Sequence, residues 1–366
     1  MKKILSVLCL VLCMNSLNFA AYAEKDVYFT LDEAISYAFE NDYNLKSLES
    51  NVAKAEKTVV QEGINRRSYR DMFGSQMEFT VSTGFAAALY SKGFMLDAAQ
   101  MQLRVAQRSL EVGKKTLENN VKQSFYGYIV SEKTEENAGR NLEKAKEQKS
   151  VAEVRFNQGQ ITKLDLKSFE LNVINAENNF NAQKRNRELA MASLKNTMCY
   201  PQEEVLVPVG EIVIGDMDTT PIDEAIRLSQ NHNTMLNLKD VYENAKKRYD
   251  IAMGWYSAGQ VDFYIEKQTM ETAENDYRKN KNAYEIGIRS AYNNMMSAYE
   301  TLNYLNMSLE LVKTQAEVAG IRYEMGQITA DDYITYTNKV YEVESSIEQA
   351  KLGAMLSVFN YRITFA

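Results

Sequence analysis

Apolar residues recur three and four positions apart along much of this chain. One unbroken run consists of Leu302, Leu305, Leu309, Val312, Ala316, Ala319 and Tyr323. A second run consists of Tyr333, Tyr336, Val340, Val343, Ile347, Ala350 and Ala354. This spacing places the apolar side chains in one stripe on a helix, as in coiled coils. The pattern predicts two long helices, 267–325 and 330–363, that pack against each other.

The same pattern occurs 167 residues earlier in the chain. Its positions are Ala138, Leu142, Ala145, Lys149, Ala152 and Phe156, then Leu166, Phe169, Val173, Ala176 and Phe180. Only Lys149 interrupts the stripe with a charged side chain. No proline lies between 94 and 200, so the pattern predicts a helix over 96–157 and a return helix to about 198. At 1.5 Å per residue the first helix would be roughly 90 Å long.

A similar turn sequence separates the helices of each pair, at 155–165 and at 322–332, and both copies contain Gly-Gln-Ile-Thr. Its glycine suits the left-handed conformation that ends a helix. Its threonine and the aspartate three residues later suit the cap of the next helix. Any helical hairpin needs such a turn, but its repetition favours an internal duplication. The shared residues are Gly159, Ile161, Thr162 and Asp165 in the first copy and Gly326, Ile328, Thr329 and Asp332 in the second.

Capping signals mark the start of each copy. Thr30 and Glu33 have the spacing of a capping box. In the second copy Thr220 precedes Pro221, which is predicted at the first helical position. All three prolines lie within 200–221, where alternating apolar residues also indicate a short extended segment. This stretch is therefore the predicted connector between the copies.

The predicted fold class is all-α, with two tandem repeats of long antiparallel coiled-coil hairpins and a short, reduced β region. The repeats are expected over 24–199 and 222–366. The starts of the copies lie 191 residues apart but their turns lie 167 apart, so the first copy holds 24 more residues. A short strand region is predicted over 70–90. The alternating apolar positions are Met77, Phe79 and Val81 in the first copy and Val261, Phe263 and Ile265 in the second.

The first 23 residues have the pattern of an export signal. Lys2 and Lys3 precede a mostly apolar run, and Ala21 and Ala23 offer small residues at the cleavage positions. A membrane anchor is the alternative, which the short apolar run disfavours. Removal of the signal would leave Cys199 as the only cysteine, so no intrachain disulfide is expected. The predicted location is the cell envelope.

Composition argues against several classes of function. The net charge of −7 disfavours nucleic-acid binding, which needs basic patches. His232 is the only histidine, which disfavours a metal site, and the chain has no Gly-x-Ser-x-Gly motif of a serine hydrolase. We therefore predict that the protein is not an enzyme and has no catalytic, cofactor-binding or metal-binding residues.

The chain resembles the TolC family of outer-membrane efflux channels. The resemblance covers nearly all of 30–364. It rests on the twofold repeat, the paired long helices and the turn pattern Gly-x-Ile-Thr-x-x-Asp. It also rests on the Leu-Tyr-Ser-x-Gly sequence at 89–93, which precedes the alanine-spaced helix 98–121.

The resemblance implies a homotrimer in which twelve long helices form a hollow cylinder. It implies a passive conduit for small molecules or proteins that works with a periplasmic adaptor protein and an inner-membrane pump. The adaptor would dock at the turn residues named above. Asp331 and Asp332 would narrow the pore, although Thr335 occupies another gate position of the family. From its residues alone, Asp332 is equally well read as a helix cap.

The sequence departs from the family in its membrane part. That part is a barrel with four strands per subunit, and a spanning strand needs about 9–11 residues. The second copy, at about 254–266, is too short for this, and the first copy, at about 70–90, could hold only one modest hairpin, so we expect a barrel-poor relative. The outer membrane is then the expected site only in a host that has one. The alternative function is a coiled-coil scaffold of the cell envelope without channel activity.

Overall fold

The computed structural model describes residues 27–73, 84–212, 216–257 and 259–365. Within these ranges the chain forms nine helices and two short strands. The first copy contains β1 (Val27–Phe29), α1 (Leu31–Asn41), α2 (Tyr43–Phe73), α3 (Gly84–Ser91), α4 (Phe94–Asn157) and α5 (Lys163–Thr197). The second contains β2 (Leu206–Pro208), α6 (Ile222–Ser229), α7 (Asn233–Met253), α8 (Val261–Glu324) and α9 (Ala330–Arg362). The all-α prediction with a small β region is confirmed.

The duplication is visible in the lengths of the helices. Helices α4 and α8 each have 64 residues, about 96 Å at 1.5 Å per residue. They begin 167 residues apart, as do α5 and α9. The extra residues of the first copy lie mainly in α2, which has 31 residues against 21 in α7, and in the segment that leads to α4.

The strand predicted at 261–265 is wrong. Residues 261–265 form the first turn of α8, not a strand. Val261 and Ile265 are exposed on that turn, while the Phe263 ring packs 5.8 Å from the ring of Tyr249. Five alternating residues are too few to distinguish a strand from a helix start. In the region 70–90, the described residues are also helical; positions 77–81 lie outside the described residues, as does the predicted signal.

The long helices form two antiparallel hairpins, α4 with α5 and α8 with α9. Leu45 and Leu48 of α2 pack at Gly113 of α4, whereas Phe180 of α5 packs near Gly139. Helices α2 and α5 therefore cover successive parts of α4. Helix α7 packs on both α4 and α8, and α9 packs on α4, so the two copies lie side by side. None of the described helices is long and apolar enough to cross a membrane.

The predicted apolar stripes lie where the hairpins pack. Leu302, Val312, Val343 and Ile347 are buried together between α8 and α9. In the first copy, Gln148 is buried in place of its neighbour Lys149, which pairs with Glu153. Tyr336 and Phe156, predicted in the stripes, are 40% and 36% exposed. A straight helix has 3.6 residues per turn, so a stripe spaced every 3.5 residues rotates slowly around it. The residue that faces inward therefore shifts by one position along a long helix.

The connector pairs with the first described residues of the chain. Strands β1 and β2 pair in parallel, with Phe29 opposite Pro208, and this confirms an extended segment there. The Phe29 ring meets Tyr37 and Tyr200 edge-on. Pro221 is predicted as the first helical residue. It is instead the N-cap of α6, with an extended backbone, and α6 begins one residue later.

Candidate functional site

The two hairpins end in matching turns. Gly159 and Gly326 have φ angles of 71° and 70°. The N–H of Gln160 donates to the carbonyl of Arg155 at 2.9 Å, and the N–H of Gln327 donates to that of Arg322 at 2.8 Å. These bonds satisfy carbonyls at the helix end that would otherwise lack a donor. The predicted left-handed glycine turn is confirmed in both copies.

Each turn leads into a reciprocal helix cap. The Asp165 N–H donates to Thr162 Oγ1 at 3.1 Å, and the Thr162 N–H donates to Asp165 Oδ2 at 2.9 Å. Thr329 and Asp332 repeat this pattern at 3.1 and 3.2 Å. Hydrogen bonds from the Thr329 hydroxyl and N–H lower the pKa of Asp332. The capping reading of Asp332 is thus confirmed, and Asp331 and Asp332 are both exposed beside the second turn.

A cluster behind the turns joins the two hairpins. Ala152 and Phe169 from the first copy are buried with Ala330 and Ile334 from the second, and Ile161 packs against them. We call these residues the tip cluster. The Tyr323 and Tyr333 rings stack at 5.2 Å beside it, and the Arg155 guanidinium lies 5.5 Å from the centre of the Tyr323 ring. The tip cluster therefore connects the two turns through buried apolar contacts.

A cavity of about 230 Å³ lies between α4 and α8 above the tip cluster. Gln148 and Tyr323 line it, and the Gln148 Nε2 atom is buried without a hydrogen-bond partner. A buried polar group without a partner costs about 1–3 kcal/mol. The cavity beside Gln148 has room for water, which can supply this hydrogen bond.

A second apolar stripe follows α8 on the side opposite α9. Its members are Tyr304, Met307, Leu311, Val318, Ile321 and Met325, each between 49% and 75% exposed. They keep the three-and-four spacing of the buried stripe except at Thr314, where the side chain is polar. We call this set the outer stripe. Sequence analysis missed it, although the same periodicity shifted by two positions would have revealed it. On α5, the apolar residues Leu164, Leu171, Ile174 and Leu189 are likewise exposed.

His232 lies far from the turns and has a structural setting. It caps α7, and its Nδ1 lies 3.3 Å from the Thr234 N–H and 2.8 Å from Tyr284 Oη. The part of the chain that the structure describes contains no group of three His, Cys, Asp or Glu residues placed to hold a metal ion.

Comparison with solved structures identifies the fold. The channel CusC matches with a TM-score of 0.76 and 10% identity, over 95% of this chain and 96% of that one. The outer-membrane channel OprN matches with a TM-score of 0.73 and 13% identity, over 92% and 89%. The CmeC outer-membrane channel of Campylobacter jejuni matches with a TM-score of 0.70 and 14% identity, over 92% and 85%.

These neighbours are outer-membrane channels of the TolC family. No family model and no curated protein matches the sequence. At identities of 10–14% the comparison establishes the fold, and the fold expected from the resemblance is therefore confirmed.

Proposed function

We propose that this chain is the subunit of a passive homotrimeric conduit in the cell envelope. The observation that carries the proposal is the pair of 64-residue helices, each ending in the same capped turn and standing side by side. The solved channels of this fold support the same function. In this proposal the chain performs no chemistry, and the energy for export comes from an inner-membrane pump.

The internal repeat suggests how subunits would meet. Within one chain, α4 of the first copy packs on α9 of the second. The equivalent of α4 in the second copy is α8, and the equivalent of α9 in the first copy is α5. Both α8 and α5 carry exposed apolar residues. The outer stripe of one subunit would therefore pack on α5 of the next. Because this contact joins two different surfaces, it does not end at a dimer, and it closes into a ring of three when neighbouring subunits are related by a rotation of a third of a turn.

The turns are the proposed docking points for a periplasmic adaptor protein. Gly159, Ile161, Thr162 and Asp165, with Gly326, Ile328, Thr329 and Asp332, would give each subunit two equivalent docking positions. Asp331 and Asp332 are the proposed pore constriction. Three copies of each would form a ring of negative charge that attracts cations and resists anions. The lowered pKa of Asp332 favours its ionised form in such a ring.

The assembly is tested by placing charges on the outer stripe. We expect Met307→Asp with Leu311→Asp to convert the trimer to monomers, because the new carboxylates would be buried in the subunit interface. The mass of the purified protein, measured by light scattering, checks this. The control is Asn303→Asp with Asn306→Asp, which adds the same charge on exposed positions of α8 outside the stripe. A stripe variant that keeps the mass of a trimer would contradict the proposed interface.

A coiled-coil scaffold of the envelope is the second candidate. The short connection between α7 and α8, residues 254–260, favours it because so little chain is available there for membrane contact. Ion conductance of the purified trimer in a planar bilayer separates the two functions. A conduit conducts, and conductance falls when Asp331 and Asp332 are changed to Asn. A trimer that inserts but never conducts would support the scaffold.

A further inference from the structure

The only histidine of the chain connects three parts of the second copy. His232 precedes α7 and caps it through Nδ1, which accepts from the Thr234 N–H at 3.3 Å. The same Nδ1 lies 2.8 Å from the hydroxyl of Tyr284 in α8. That hydroxyl also lies 3.0 Å from the carbonyl of Thr364, just after α9. The imidazole and phenol rings stack at 5.6 Å.

These contacts compete for one lone pair and one proton. Neutral Nδ1, with the ring proton on Nε2, offers a single lone pair, to which the Thr234 N–H and the Tyr284 hydroxyl both point. The Tyr284 hydroxyl has one proton and two candidate acceptors, Nδ1 and the Thr364 carbonyl. If Nδ1 carries a proton, it accepts from neither donor. The Nδ1–H then donates to Tyr284 Oη, and the Tyr284 proton goes to Thr364. The two protonation states of His232 therefore support two different hydrogen-bond sets.

We propose that protonation of His232 switches this corner of the molecule, releasing the cap of α7 and leaving the Thr364 carbonyl as the only acceptor of the Tyr284 proton. In the neutral state the first turn of α7 is capped, and the Tyr284 proton is shared between Nδ1 and the Thr364 carbonyl. In the protonated state the first turn of α7 is uncapped, and its N-terminus faces a positive charge that opposes the helix dipole. The Tyr284 hydroxyl then donates only to the Thr364 carbonyl, which holds the segment after α9. The switch is independent of the conduit proposed above.

The surroundings determine the pH at which the switch acts. Burial and then the nearby Lys115 of α4 lower the pKa of His232. From α8 the imidazole faces Tyr284, whose pKa burial raises to about 12, so this phenol stays neutral. The carboxylate of Glu111 in α4 accepts at 2.7 Å from Asn233, the residue that follows His232. The transition is therefore expected below the ordinary histidine pKa of about 6.5.

Two measurements on the full-length protein test the switch. Because the chain has one histidine, isotope labelling of histidine gives a single imidazole signal, which reports the titration directly. Hydrogen exchange of the α7 first-turn amides, corrected for the intrinsic pH dependence, reports the cap. Between pH 7.5 and 5 we expect the corrected exchange at Thr234 to rise about fivefold, the effect of losing one helix cap.

The control is His232→Asn, which keeps a capping side chain that does not titrate. This variant should show no pH-dependent change in the corrected exchange at Thr234. Tyr284→Phe should keep the pH-dependent loss of the cap but lose the acid-induced protection of the segment after α9. An identical pH response in His232→Asn and the natural chain would overturn the proposal, as would an imidazole that titrates with no change in exchange.

Discussion

Glycine at the two turns is a requirement of backbone geometry, not of space. No atom outside the turn lies within 4 Å of a Cβ added at Gly159 or Gly326, yet both have φ near 70°. Any other residue would be strained in that conformation. The strain would act on the turn alone, which makes these positions suitable for testing the turns without disturbing the packed helices.

We expect Gly159→Ala and Gly326→Ala each to lower the free energy of unfolding by about 1 kcal/mol. Gly287→Ala is the matched control. It lies within α8 with open space around it, so it should raise the free energy of unfolding by up to about 1 kcal/mol through helix propensity. Chemical denaturation followed by circular dichroism measures all three. Equal effects at the turns and at Gly287 would contradict the left-handed turn.

At the scale of elements, α7 is attached to α4 by charge as well as by packing. Asp240 accepts from Arg104 at 3.2 Å and from Arg108 at 2.7 Å. Burial works to raise the pKa of Asp240, but the hydrogen bonds from both arginines outweigh it and leave the pKa below its usual value. This contact joins the first copy to the second in the half of the molecule away from the turns.

Neutralising this carboxylate should weaken the attachment of α7. We expect Asp240→Asn to cost about 1 kcal/mol of unfolding free energy near neutral pH. Because the folded pKa is lowered, the natural contribution is complete above the unfolded pKa of about 3.9 and is lost as the pH falls through the folded pKa. The variant should lack that part of the acid dependence in denaturation measured from pH 6 to 3.

The control for this measurement is Glu243→Gln, also in α7. Glu243 forms only an exposed pair with Lys239 at 3.7 Å, so its loss should change stability by less than about 0.5 kcal/mol. If both variants cost the same, the bridge from α7 to α4 contributes nothing beyond an ordinary surface pair.

At the scale of the whole molecule, the contact between the copies gives the geometry expected between subunits. Asn119 of α4 donates to Asn360 of α9 at 3.1 Å. Ile286 of α8 is the position equivalent to Asn119, and Ser193 of α5 is the position equivalent to Asn360. Both are exposed, Ile286 by 64%. If the repeat continues around a ring, Ile286 of one subunit lies beside Ser193 of the next.

Cysteines at these positions should therefore link neighbouring subunits. In a Cys199→Ser background, Ile286→Cys with Ser193→Cys should give a ladder that ends at three chains on a non-reducing gel. Ile286→Cys alone should give no ladder, because only one side of the contact then carries a thiol. A double variant that yields no species above the monomer would argue against the ring, whatever its effect on stability.

Much of this architecture could be predicted from the sequence because the long hairpins are periodic. The stripe from Leu302 to Tyr323 determines which face of α8 packs, and the repeated turn determines where each hairpin reverses. Both signals are local: side-chain periodicity, a glycine for positive φ and a threonine for the cap. They needed no knowledge of distant residues. The alternation at 261–265 failed because five residues carry too little periodicity to outweigh their packing against α7.

Tertiary structure alone decided how the hairpins stand relative to each other. The sequence does not indicate that Ala152 and Phe169 pack on Ala330 and Ile334, that α7 bridges to α4 through Asp240, or that Gln148 takes the inward place of Lys149. Periodicity fixes the face of a helix but not the partner that covers it. The partner follows from packing between residues far apart in sequence, where volume and charge must be satisfied together.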